Sequence, residues 1–74
     1  MEGFPWLRCP RFRVEHRVAD QATMILTFAD SLPLSESRAR RAANRLQSAG
    51  LQGDVVVVDQ DTDEEVSSRR IPAS

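Results

Sequence analysis

An acidic run near the carboxyl end is the densest group of potential metal ligands in this chain. Asp59, Asp61 and Asp63 have the spacing of positions 1, 3 and 5 in an EF-hand calcium loop. The rest of that pattern is missing, because position 6 is Glu64 instead of glycine and position 12 is Arg70 instead of a bidentate glutamate. We therefore interpret the run as a solvated turn between strands and predict neither a metal site nor a cofactor.

Cys9 and His16 are the side chains best suited to nucleophilic or acid–base catalysis, but neither has the partners that catalysis needs. A cysteine nucleophile requires a base and an oxyanion site. The only histidine is His16, seven residues away on what reads as the same extended segment. The serines match no G-x-S-x-G or S-x-x-K motif, and the three glycines are too dispersed to cradle a phosphate. We predict no enzymatic activity, and we expect His16 to be partly buried and hydrogen-bonded to a neighbour.

The basic residues are all arginine, and their spacing raises the possibility of phosphate contacts. Arg38, Arg41 and Arg45 fall on one stripe of a predicted helix, and Arg11 lies in a predicted strand. A nucleic-acid-binding accessory protein that uses these four residues is the alternative function. The net charge of −1 and the absence of an aromatic residue on the arginine-bearing face of that strand argue against it.

Two predicted strands near the amino end form the framework for these side chains. Arg11 to Val18 alternates strictly, so one face carries Phe12, Val14, His16 and Val18 while the other carries charged residues. Thr23 to Phe28 resumes the alternation, with Met24, Leu26 and Phe28 predicted inward and Thr23, Ile25 and Thr27 outward. Because only four residues separate the two segments, we expect an antiparallel hairpin.

A helix is predicted from Ser35 to Gly50. Pro33 reads as a breaker, and the hydroxyl of Ser35 is suited to cap the first turn. Gly50 supplies the left-handed residue that ends many helices. Between them runs an apolar stripe of mostly small residues, formed by Ala39, Ala42, Ala43, Leu46 and Ala49. Such a stripe favours close packing of the helix on a sheet.

The carboxyl end of the chain predicts one clear strand and a second, less distinct one. Val55 to Val58 is a run of β-branched residues suited to a strand that is covered on both faces. Val66 to Ile71 reads as a possible fourth strand. Val66 and Ile71 are an odd number of positions apart, so they can share a face only across a bulge.

These elements predict a small α+β domain of order β-β-α-β-(β), with one helix packed on one face of a three- or four-stranded sheet. We assign residues 1–74 to a single domain, with 1–10 as an extended N-terminal segment and 72–74 frayed. The helix links the second and third strands, so it can act as a crossover if those strands are parallel. No apolar run approaches the ~20 residues of a membrane span, and no signal peptide is recognisable. We therefore expect a cytoplasmic protein that binds no membrane.

The predicted function follows from what a single helix leaves uncovered. A chain this short buries only about 60% of the surface of its unfolded form, and a single cysteine permits no intramolecular disulfide. One helix covers one sheet face, so we expect apolar residues on the other face to need a partner. The sequence thus predicts a non-enzymatic interaction module, a homodimer or a binder of another protein. The predicted interface comprises Ile25, Val56 and Val58 with Arg13 and Arg17 at the rim.

The net charge conceals an unequal distribution along the chain. Residues 1–50 carry eight arginines and five acidic residues, a balance of +3. Residues 51–74 carry two arginines and six acidic residues, a balance of −4. In a compact domain such a division predicts that the two halves face and neutralise each other.

Overall fold

A computed structural model describes residues 10–71, which form four strands and one helix. In chain order these are β1 (Phe12–Arg17), β2 (Met24–Ala29), α1 (Leu32–Ser48), β3 (Asp54–Asp59) and β4 (Glu64–Arg70). The strands form one antiparallel sheet in the order β2-β1-β3-β4, and α1 packs on one of its faces. The predicted α+β class is confirmed, and the fourth strand is present. The expectations for the N-terminal segment and for residues 72–74 fall, apart from Pro10, outside the described residues.

The helix is a crossover between strands that are not neighbours. Because β1 is antiparallel to both β2 and β3, those two strands run parallel with β1 between them. Helix α1 connects them and contacts all four strands. The core therefore lies between α1 and the central strands. It contains Phe12, Val14, Ala39, Ala43, Val55, Val57 and Ile71, with Leu26 and Leu46 packed against it.

The helix begins earlier than the sequence predicted. Ser31 is the N-cap, and its Oγ accepts a hydrogen bond from the backbone N–H of Leu34 at 3.3 Å. Pro33 lies in the first turn, where the missing N–H has no intrahelical partner to lose. Ser35 is buried instead of capping the helix, and its hydroxyl donates to the carbonyl of Leu32 at 2.7 Å. The predicted start was wrong because Pro33 was interpreted as a breaker.

The end of the helix agrees with the prediction. Gly50 has a φ of +78° and donates its N–H to the carbonyl of Gln47 at 2.9 Å. Leu51 donates to the carbonyl of Leu46 at the same distance. These two bonds form a Schellman motif, which satisfies carbonyls that the helix leaves without partners.

A bulge in β2 reverses part of the predicted facing. Val14 pairs with Thr27 and Glu15 pairs with Ile25, so Leu26 is an extra residue in β2. Paired residues share a sheet face. Thr27 is therefore on the helix side with Val14, and Phe28 is on the opposite side with Arg13. The predicted positions of Phe28 and Thr27 were wrong for this reason.

A second bulge lies in β4, in the segment where the sequence predicted that Val66 and Ile71 could share a face only across a bulge. Val57 pairs with Ser67 and Val58 pairs with Glu65, which leaves Val66 as the extra residue. Val66 is exposed, while Ile71 enters the core. The bulge therefore does not bring both apolar residues into the core.

Candidate functional site

A row of ion pairs covers the sheet face opposite α1, which we call the open face. At its centre is Glu15, only 5% exposed, whose carboxylate accepts hydrogen bonds from Arg13 and Arg17. The Nη2 of Arg17 lies 2.8 Å from Oε1 of Glu15. Arg13 also pairs with Asp63 at 3.3 Å, and Arg17 pairs with Glu65. The five residues form one network of alternating charge, which we call the open-face network.

This network changes the interpretation of the two valines predicted to form an interface. Val56 and Val58 are in register with Glu15 and Arg13, and they are only 3% and 2% exposed. Val58 lies in the same cleft as the side chains of Arg13 and Arg17. The hydrocarbon part of an arginine covers apolar surface while its charged head stays in water. Val56 and Val58, which the sequence predicted to form part of an interface, are therefore already covered within one copy of the chain.

The arginines keep the buried carboxylate ionised. Burial by itself raises the pKa of Glu15, but the hydrogen bonds from Arg13 and Arg17 outweigh it and hold the pKa below its usual value. The same hydrogen bonds raise the pKa of both guanidinium groups. These shifts favour the charged forms of Glu15, Arg13 and Arg17.

The three aspartates with calcium-loop spacing bind arginines. Asp59 pairs with Arg11 at 3.1 Å and accepts the backbone N–H of Asp61 at 2.9 Å. The hydrogen bond from Arg11 lowers the pKa of Asp59. Asp61 is 3.6 Å from Arg11, and Asp63 belongs to the open-face network. Within residues 10–71, no group of three His, Cys, Asp or Glu side chains is arranged to hold a metal ion.

The exposed apolar residues of the sheet are concentrated on β2, which is an edge strand. Met24, Ile25 and Phe28 are 61%, 52% and 39% exposed. Ile25 and Phe28 lie on the open face, in register with Glu15 and Arg13 of the network. The structure therefore places the five predicted interface residues in adjacent rows across β2, β1 and β3. It adds Phe28, which the alternation rule missed because no sequence signal locates the bulge.

A groove separates β2 from α1 on the other side of this edge. Its volume is about 260 Å³, and its lining consists of Leu26, Thr27, Arg38, Arg41, Ala42, Arg45 and Leu46. The guanidinium of Arg38 donates to the carbonyl of Phe28. The structure thus brings together the three helix arginines predicted as one stripe. Arg11, the fourth candidate for phosphate contacts, is instead paired with Asp59.

His16 has the structural role expected of it. Its Nε2 is 2.8 Å from the carbonyl oxygen of Gln52, so this nitrogen donates the hydrogen bond. The ring is partly buried and joins β1 to the loop before β3. Cys9 lies outside the described residues.

Comparison with known proteins adds no assignment. No protein-family model matches the chain, and no curated protein or solved structure has significant similarity to it. None of the helical segments in residues 10–71 is both long and apolar enough to cross a lipid bilayer.

Proposed function

We propose that this domain is a non-enzymatic protein-interaction module that binds another polypeptide along the edge strand β2. The observation that carries the proposal is the difference between the two sheet edges. Strand β4 reads Glu-Glu-Val-Ser-Ser-Arg-Arg and presents charges, which is a common way to prevent pairing at an edge. Strand β2 reads Met-Ile-Leu-Thr-Phe-Ala, without a charged residue. The charges of β4 oppose pairing along that edge. The edge of β2 is less protected, by its bulge at Leu26 and by Arg38 at the carbonyl of Phe28, and is therefore the better candidate to accept a strand.

Strand addition would use the surfaces on both sides of β2, the exposed apolar residues of the open face and the groove beside α1. A polypeptide added to a sheet edge gains backbone hydrogen bonds, and its alternate side chains contact opposite faces. Every second side chain of the added polypeptide would contact Ile25 and Phe28 on the open face. The other set would enter the groove above Leu26 and below α1.

We expect Ile25→Lys to weaken strand addition about tenfold or more, because a lysine on a sheet edge opposes pairing. The probe is a peptide of about eight residues that alternates valine with threonine. Its binding is measured from the NMR chemical-shift changes of the isotope-labelled domain. In the wild-type domain, the chemical-shift changes caused by the peptide should be largest for residues of β2. Val66→Lys on the other edge is the matched control and should change the affinity less than about twofold, since both sites are exposed.

Backbone pairing has its own control. Methylating alternate backbone nitrogens on the peptide edge that faces β2 removes the donors and should abolish binding, whereas methylating the other edge should not. Shifts that avoid β2, or binding that survives both methylation patterns, would contradict the proposal.

A second copy of this chain is one of the two partners that the sequence predicted, the other being a different protein. The interface predicted for it comprises Ile25, Val56 and Val58 with Arg13 and Arg17 at the rim. Sedimentation velocity at about 100 μM tests this partner, since a homodimer doubles the mass in a concentration-dependent way. Loss of the dimer in Ile25→Lys would place the contact at β2. A monomer in both proteins would exclude this partner.

A further inference from the structure

We infer that the groove between β2 and α1 selects an extended acidic segment of a partner protein, whose carboxylates bind Arg41 and Arg45. The inference depends on the strand addition proposed above and adds the chemistry of the partner. The groove combines an apolar floor with a basic rim. Leu26, Ala42 and Leu46 contribute the floor, and the arginines of α1 form the rim. A strand that pairs with β2 would direct every second side chain into this groove.

The charge of the groove differs from that of the open face. Arg11, Arg13, Arg17 and Arg70 each form an ion pair with a carboxylate of the same chain. Among residues 10–71, Arg41 and Arg45 form no such pair. The paired arginines of the sheet therefore neutralise acidic residues in the second half of the chain. Within residues 10–71, Arg41 and Arg45 keep their charge without a carboxylate partner, as do Arg38, Arg40 and Arg69.

Guanidinium chemistry favours carboxylates as the complement. An arginine can donate two parallel hydrogen bonds to one carboxylate, which adds geometric selectivity to the attraction. Arg41 and Arg45 are four positions apart, so they lie one helical turn from each other on the same face. Arg38 is held by the carbonyl of Phe28 and is less available. Two acidic side chains of an extended segment match the two available guanidinium groups.

A symmetric pair of β2 strands is a poorer occupant of this groove. Pairing across a two-fold axis would place the arginine rows of both copies along one groove, and like charges in close contact are unfavourable. Nucleic acid matches the charge, but its backbone has no apolar side chains for the floor formed by Leu26, Ala42 and Leu46. An acidic polypeptide satisfies the strand edge and the rim, and the methylene groups of its acidic side chains can cover the apolar floor.

The test compares three peptides of about eight residues that alternate valine with glutamate, threonine or lysine. Isothermal titration with the whole chain should show that the glutamate peptide binds about tenfold or more tightly than the lysine peptide. The preference should decrease as salt rises from about 50 to 300 mM, because exposed charges are screened.

Two double variants distinguish a local effect of the groove arginines on peptide binding from a general effect of the net charge of the protein. Arg41→Gln with Arg45→Gln should weaken binding of the glutamate peptide about fivefold or more and leave the threonine peptide within about twofold. The control is Arg40→Gln with Arg69→Gln, which removes the same charge from exposed positions outside the groove lining. It should change either affinity less than about twofold.

The outcomes distinguish the two proposals. Equal binding of all three peptides at β2 would reject the selection of acidic segments and leave strand addition intact. If no peptide shifts the β2 resonances, strand addition itself fails. Tighter binding of a short DNA duplex than of the glutamate peptide, with loss in the Arg41 and Arg45 variant, would assign the groove to nucleic acid and overturn the inference.

Discussion

Replacing Gly53 with alanine is expected to remove most of the free energy of unfolding at 25 °C. A Cβ at this position would lie 2.5 Å from the backbone carbonyl oxygen of Arg17 and 2.9 Å from Cγ2 of Val18. The φ of Gly53 is +117°, a conformation that side chains strongly disfavour. The residue cannot move away easily, because its carbonyl accepts the N–H of Ile71 at 2.9 Å. We expect a cost of about 3 kcal/mol or more, close to the whole stability of a domain of this size.

Urea unfolding monitored by circular dichroism measures this effect, and Gly50→Ala is its control. Gly50 also has a positive φ, but no atom lies within 4 Å of a Cβ built there. Its replacement should cost only about 1 kcal/mol, from the backbone conformation alone. Equal stability of the two variants would show that the loop before β3 does not press against the end of β1.

Replacing Glu15 with glutamine is the second large change, with an expected loss of about 2 kcal/mol in the free energy of unfolding. The amide keeps the shape of the side chain but removes the charge between Arg13 and Arg17. Two guanidinium groups would then lie close together above Val56 and Val58 without the central carboxylate. Thermal or urea unfolding at neutral pH measures the loss. Glu65→Gln, at the half-exposed end of the network, should cost less than about 0.5 kcal/mol.

The pH dependence of stability identifies the carboxylate directly. The pKa of Glu15 is lower in the folded protein than its ordinary value of 4.5. Its stabilising contribution is therefore complete above the unfolded pKa and is lost as the pH falls through the folded pKa. The wild-type protein should lose stability below about pH 5, and Glu15→Gln should lose less over the same range. If the free energy of unfolding decreased equally with falling pH in the two proteins, a central role for Glu15 would be contradicted.

The sequence predicted the elements well because their signals are local. The alternation of β1, the four valines of β3 and the glycine after α1 each depend on a few neighbouring residues. The start of the helix was missed because proline suits a first turn as well as a break, and only the cap at Ser31 distinguishes them. The facing of β2 was missed because a strand with no charged residue and a single threonine contains no mark for its bulge at Leu26.

The open face was misjudged for a different reason. Counting apolar residues treats Val56 and Val58 as exposed, but it ignores the hydrocarbon that neighbouring arginines supply. The signal was present as an acidic residue between two arginines on one face of β1, at positions 13, 15 and 17. Only one of the two features of the groove, its row of arginines, could be predicted from the sequence. The stripe of Arg38, Arg41 and Arg45 could be deduced, but its position beside an edge strand depends on the strand order.

The strand order also has a consequence for how the chain folds. The pairs β1–β2 and β3–β4 are hairpins between sequence neighbours, whereas β1 and β3 join residues as distant as Phe12 and Asp59. Each hairpin can form early, and the slow step is the search that brings the two together across the length of the chain. The halves carry opposite net charge, so long-range attraction guides that encounter, and ions in the medium slow it.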